Sequence, residues 1–119
     1  MNLVLELILG KALSSMYKAS PLDMGQVRGI IYKVVLALTY LHELNITHRD
    51  IKLENVLYVA ETQEVKLIDF GFSTLMKQSR KMFCGTPSYM APEIVRRTQY
   101  VGQPVDIWAL GVMLYTLVT

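Results

Sequence analysis

The sequence predicts an α+β fold, mainly helical, with one small β-hairpin. Three observations predict it. Val27, Ile30, Ile31, Val34, Leu38 and Leu41 recur at three- and four-residue steps, which draws one apolar stripe along a helix of about residues 23–44. Two short β-prone runs, 56–59 and 65–68, flank a polar stretch at 61–64, the pattern of a hairpin over about 56–68. Residues 106–119 are apolar almost all round, as in a helix buried inside a larger body.

Taken in chain order, Leu3-Val4-Leu5 is a short run of strand type, and Gly10 punctuates it. A short helix fits Leu13–Ala19, stopped by Ser20-Pro21. Asp23 then supplies a side-chain oxygen to cap the long helix. After the hairpin, residues 71–92 show little periodicity and contain Gly85 and Pro87, so they read as a long loop. Loops of that length in a compact domain are usually functional or disordered. The last helix spans about 105–119. No internal repeat, low-complexity tract or linker interrupts the chain.

Composition narrows the function classes. A chain of 119 residues accommodates one small domain, and its 52% hydrophobic and 18% charged content is richer in apolar residues than ordinary soluble domains. The net charge of +2 is too small to argue for a nucleic-acid partner, and Lys77, Arg80, Lys81 and Arg96-Arg97 read as solvated loop. The single cysteine, Cys84, excludes an internal disulfide and fits a reducing compartment. Asn45-Ile46-Thr47 matches a glycosylation sequon, a short pattern that arises by chance and needs a secretory route. The apolar stretch 3–9 contains Glu6 and lacks a basic leader, and the run 107–118 is too short to span a bilayer. A soluble intracellular protein, cytoplasmic or nuclear and without a membrane span, is therefore expected.

Three motifs carry chemistry. His48-Arg49-Asp50-Ile51-Lys52-Leu53-Glu54-Asn55 lies between the long helix and the hairpin. Asp69-Phe70-Gly71 ends the second hairpin strand, and Ala91-Pro92-Glu93 closes the long loop. Each alone has a bland reading: a surface turn, a strand-to-turn sequence, and a helix start with proline near its first position. In this order and context they resemble the signature set of the eukaryotic Ser/Thr protein kinases. An unrelated α/β domain would have to match the same layout by accident.

The resemblance implies the fold of a partial C-terminal kinase lobe, with a hinge at about 4–9, a catalytic loop at 48–55 and an activation segment at 69–93. It implies transfer of the ATP γ-phosphate to a Ser or Thr hydroxyl of a protein substrate, with Mg²⁺ as the metal. Asp50 would accept or orient the proton of the attacking hydroxyl. Lys52 would place a charge at the transferring phosphate, and Thr86 would bond toward Asp50 and Lys52. Asn55 and Asp69 would offer Mg²⁺ the hard oxygen ligands it prefers. Gly71 would permit backbone angles closed to bulkier residues, and Phe70 would pack beside His48. Backbone groups of Glu6 and Ile8 would bond adenine, with Leu5 as gatekeeper and Leu57 as the floor beneath the ring. Leu13, Met113 and Leu117 would support that floor, a role compatible with ordinary core. Asp106, in Asp106-Ile107-Trp108-Ala109-Leu110-Gly111, would hold the catalytic-loop backbone. Asp69-Phe70-Gly71-Phe72-Ser73 and Phe83-Cys84-Gly85-Thr86-Pro87 are nearest in flavour to the calcium/calmodulin-dependent and AMP-activated group.

The sequence also departs from the family. No G-x-G-x-x-G and no strand lysine of the V-A-I-K type occurs in the 119 residues, so the N-terminal lobe that activity requires is expected to be missing. The last helices, which carry the arginine partner of Glu93, are expected to be missing too. A fragment inactive alone follows from that reading; the alternative is a truncated kinase-like decoy or scaffold without catalysis. Met82 stands where the family carries a phosphorylated threonine gripped by Arg49. Either Ser79 substitutes, or activity does not need loop phosphorylation, which is the favoured reading. Ala12 and Thr116 replace acidic residues used for basic substrates and leave only Glu54 of that set, which argues against a preference for arginine-rich substrates.

Overall fold

The computed structural model describes residues 2–75 and 82–119. Among these residues the chain forms β1 (Lys11–Ala12), α1 (Leu13–Ala19), α2 (Met24–Glu43), β2 (Ile46–Thr47), β3 (Val56–Val59), β4 (Glu64–Leu67), β5 (Thr74–Leu75), α3 (Pro92–Val95) and α4 (Gly102–Val118). Short 3₁₀ turns cover Leu53–Asn55 and Pro87–Tyr89. Ser79, Lys77, Arg80 and Lys81 lie outside the described residues.

The helices follow local chemistry. Asp23 closes a reciprocal capping box on α2: its Oδ1 accepts from the Gln26 N–H at 2.9 Å, and the Gln26 side chain accepts from the Asp23 N–H at 3.1 Å. Such a cap contributes about 1 kcal/mol. Val27, Ile30, Val34 and Leu38 form the buried stripe of α2, with Ile31 and Leu41 at its margins. Asn45, just past the helix, takes φ 57°, the left-handed conformation that short polar side chains tolerate. α4 begins at Gly102, three residues earlier than its apolar pattern suggests. Pro104 sits in the first turn, where a missing N–H costs nothing.

β3 and β4 pair antiparallel, with Val56 opposite Leu67 and Val59 opposite Glu64. β1 adds to the outer edge of β3 through Lys11–Tyr58 and Ala12–Leu57 pairs. A second, two-stranded ribbon joins β2 to β5, Ile46 opposite Leu75 and Thr47 opposite Thr74. The core is shared by Leu13, the α2 stripe, Ile51, Leu53 and Val56, and by Ala109, Leu110, Met113 and Leu117 of α4. A satellite cluster of Ala91, Ile94, Tyr100 and Val105 packs α3 against the start of α4.

The expected strand at Leu3-Val4-Leu5 does not form. Residues 2–10 are irregular, and Leu3 and Val4 are 81% and 91% exposed. A strand exists only with a partner, and the free edge of β3 is taken instead by Lys11 and Ala12. The loop at 71–92 is also less irregular than its sequence suggests, because β5 and the Pro87–Tyr89 turn lie within it. α4 is buried on one flank only: Ile107, Trp108 and Tyr115 are exposed and line, with His42, Pro104 and Val112, an open apolar groove of about 800 Å³. Among the described residues no helix is long and apolar enough to cross a membrane.

Candidate active site

The loop between β2 and the first 3₁₀ turn is organised from below by one carboxylate. Asp106, fully buried in α4, accepts from the His48 N–H at 3.0 Å and the Arg49 N–H at 2.8 Å. Its Oδ2 also meets His42 Nε2 at 2.8 Å. Three partners offset the cost of burying a carboxylate, and removal of the group would orphan two backbone donors. These bonds also hold Arg49 at φ 66°, a left-handed conformation costing roughly 1–2 kcal/mol for a residue with a Cβ. His48 is set as firmly. Its Nε2 donates to the Ile68 carbonyl at 2.9 Å, and its Nδ1 accepts from the Asp50 N–H at 3.2 Å. Because a carbonyl can only accept, the ring carries its hydrogen on Nε2. Phe70 presses edge-on against this ring, the centroids 4.8 Å apart.

Above this base, Asp50 sits at the centre of a polar cluster. Its Oδ1 accepts from the Thr86 hydroxyl at 3.0 Å. Its Oδ2 lies 3.3 Å from Lys52 Nζ and accepts from Asn55 Nδ2 at 3.1 Å. Lys52 Nζ donates in turn to Thr86 Oγ1 at 2.8 Å, which closes a triangle of carboxylate, ammonium and hydroxyl. Gly85, at φ 107°, brings the chain past the Arg49 carbonyl just before Thr86, where an added Cβ would come within 3.1 Å. Tyr89 stands beside the cluster, its hydroxyl 3.5 Å from the Leu53 N–H; burial pushes its pKa above 10.0, and nearby Glu54 adds to that.

Asn55 Nδ2 also donates to the Asp50 carbonyl at 2.9 Å, so its amide oxygen is the atom left for a further partner. Asp69 is exposed, and its Oδ1 accepts from the Gly71 N–H at 3.1 Å. These two oxygen donors fit a hard cation whose remaining ligands are phosphate and water, the usual manner of Mg²⁺. Among the described residues no cluster of three or more His, Cys, Asp or Glu side chains forms a metal cage by itself. The expectation for Gly71 needs correction: Asp69 takes the positive φ, at 60°, and Gly71 does not. The glycine instead keeps a close approach open, since a Cβ there would meet Asp69 Oδ1 at 3.1 Å.

Asp50, Lys52, Asn55 and Thr86 are therefore brought together. Glu6 and Ile8 are not part of that cluster: they lie on the irregular segment 2–10, where Glu6 pairs with Lys66 at 3.4 Å. Gly10 carries that segment against the Tyr58 backbone, and Leu57 on the same strand pairs with Ala12. Leu13, Met113 and Leu117 are core. Sequence reasoning missed His42, which holds the far side of Asp106; at its place in a regular helical pattern nothing separates it from a surface residue. It also missed what Arg49 touches. The guanidinium Nε donates to the Phe72 carbonyl, and Nη1 lies 3.1 Å from Met82 Sδ. Nearby, the Tyr100 hydroxyl donates to the Met82 carbonyl at 2.9 Å and sits 3.8 Å from Cys84 Sγ; burial, then the thiol, push its pKa above 10.0.

The family model described as "Protein kinase domain" matches residues 1–119. The chain belongs to the protein kinase family. This kinase chain is 46% identical over 99 residues to a probable serine/threonine-protein kinase of Dictyostelium discoideum, covering 83% of the chain and 6% of that protein. It is 40% identical over 120 residues to sperm motility kinase 3A of Mus musculus, covering 98% of the chain and 24% of the relative. With serine/threonine-protein kinase DCLK1 of Rattus norvegicus it shares 46% identity over 123 residues, 97% of the chain and 27% of the relative. The kinase chain thus spans about a quarter or less of these curated relatives.

Proposed function

We propose that the full-length protein containing this chain transfers the γ-phosphate of ATP to a Ser or Thr hydroxyl of a protein substrate. The observation that carries this reading is the triangle of Asp50, Lys52 and Thr86, with Asn55 fixing the same carboxylate. Phosphoryl transfer asks a protein chiefly for positioning and electrostatic stabilisation. Asp50 is an acceptor held at both oxygens, suited to orient the substrate hydroxyl and take its proton. Lys52 supplies a cation beside the position where charge develops on the moving phosphoryl group. Thr86 ties the turn at Pro87–Tyr89 to both, so a substrate seated on that turn and a set base would come together. Asn55 and Asp69 would hold Mg²⁺, which neutralises phosphate charge when bound. Glu6, Ile8 and Leu57 would border the adenine.

The resemblance to the calcium/calmodulin-dependent and AMP-activated group supports placement near that group, while Ala12 and Thr116 argue against a basic-substrate preference. The lone cysteine supports a cytoplasmic or nuclear setting. The 119 residues alone are proposed to be inactive, because they hold no glycine-rich loop and no strand lysine for the phosphates.

The test is transfer of labelled phosphate from ATP to a mixed peptide library. Full-length protein is expected to label Ser or Thr, and Asp50→Asn to lose about a hundredfold or more of the rate. Retained nucleotide binding with no transfer by the full-length protein would refute the enzyme reading and favour a scaffold.

A further inference from the structure

Arg49 ties two separated parts of the segment that follows Asp69-Phe70-Gly71. Its Nε donates to the Phe72 carbonyl, and its Nη1 lies 3.1 Å from the sulfur of Met82. The pairing is chemically lopsided. A guanidinium is a permanent cation with a planar fork of donors, suited to charged or strongly polar oxygens. A thioether is a weak, neutral acceptor. Arg49 is buried, so a stronger acceptor at that place would face little competition from water. Met82 is 43% exposed, whereas Cys84, two residues on, is buried.

We propose that Met82 is an oxidation site, at which hydrogen peroxide makes a sulfoxide whose oxygen accepts a hydrogen bond from Arg49. The sulfur lone pair attacks one peroxide oxygen and the O–O bond breaks. The sulfur loses two electrons, and the departing hydroxide takes the proton from the oxygen now on sulfur and leaves as water. One S–O bond forms, and the thioether becomes a polar sulfoxide. The side chain has three rotatable bonds, so the sulfur can withdraw enough to seat the new oxygen against Nη1. A hydrogen bond from a charged donor is roughly twice as strong as a neutral one. Oxidation here tightens the tie between Phe72 and Met82, the reverse of the usual disruptive effect of methionine oxidation. The consequence for phosphoryl transfer rests on the function proposed above; the tie itself does not.

The test treats the full chain with hydrogen peroxide, maps sulfoxide by mass spectrometry and follows amide hydrogen exchange at residues 82–85. Sulfoxide is expected at Met82 well before it appears at the fully buried Met113. Exchange at 82–85 is expected to slow about tenfold, the scale of a gained charge-assisted bond. Methionine sulfoxide reductase should reverse the change and dithiothreitol should not. Met82→Leu should abolish the response, and Met82→Gln, with an amide oxygen in place, should slow exchange without peroxide. The proposal fails if Met82 resists oxidation, if exchange is unchanged or faster, if Met82→Leu still responds, or if dithiothreitol reverses the effect, which would implicate Cys84. Exchange does not depend on catalysis, so an inactive protein in the labelling assay leaves this result readable.

Discussion

The loop at 48–55 and the leading segment at 2–10 both lie outside the long helices and the sheets, yet they could hardly be held more differently. The first is mostly polar by sequence and mostly buried; the second is rich in leucine and lies open to solvent. What separates them is the number of directed partners. The loop hangs from Asp106, His48 and Asn55 by bonds that each fix a backbone or side-chain atom. Among the described residues the leading segment shows one exposed ion pair, Glu6 with Lys66, and close approach at Gly10. Irregular backbone is ordered here by buried polar groups that must be satisfied, and apolar character alone does not order it.

The sharpest way to break this contrast is to remove the anchor. Asp106→Leu should destabilise the fold by about 3–5 kcal/mol, since it strips partners from two buried N–H groups and from His42. Urea denaturation of the full-length protein measures it. A next test moves the anchor without removing it. Gly102 packs so tightly on Thr47 that an added Cβ would fall 2.2 Å from Thr47 Oγ1. Gly102→Ala should cost about 1–3 kcal/mol by overpacking, and Thr47→Ala in the same chain should restore only part of it, because the Cβ at position 47 would still lie 2.7 Å from the new methyl. The buried Thr47 hydroxyl has no partner among the described residues, so its loss leaves no acceptor stranded.

A smaller effect is expected in alkali. Tyr89 and Tyr100 have pKa values above 10.0 in the fold, so the stability they contribute is fully present below pH 10 and is lost as pH rises through their folded values. Unfolding midpoints taken from pH 8 upward should hold level and then fall, with Tyr100→Phe flattening part of that fall. The smallest effect belongs to the leading segment: Val4→Ser should shift stability by no more than about 0.5 kcal/mol. A larger loss there would show that the segment is held by more than Gly10 and the Glu6 pair.

The long elements were legible because their signals are local. A 20-residue helix repeats its apolar stripe often enough to be read, and Asp23 and Gln26 mark its start by themselves. The two-residue strands β1, β2 and β5 were not legible, since two residues carry no period and exist only through distant pairing. The same limit explains Leu3-Val4-Leu5, whose strand-like composition meets no partner. Within the site, Asp50, Asn55 and Asp69 stood out as motif residues, and Thr86 through the bonds toward Asp50 and Lys52 that the family resemblance implies. The left-handed Arg49 and the left-handed Asp69 did not, because neither residue type demands that conformation. Asp106 was readable only by resemblance, and its bond to His42 joins residues far apart in sequence.

The open flank of α4 has a practical side. Trp108, 48% exposed there, is the only tryptophan in the chain. Its ultraviolet emission comes from one indole at the rim of the apolar groove, free of any second emitter of its kind. Water beside that ring shifts the emission to longer wavelength, and a covering surface shifts it back. The chain thus carries a built-in optical gauge for occupancy of that flank, and the Asp50 cluster need not be disturbed to use it.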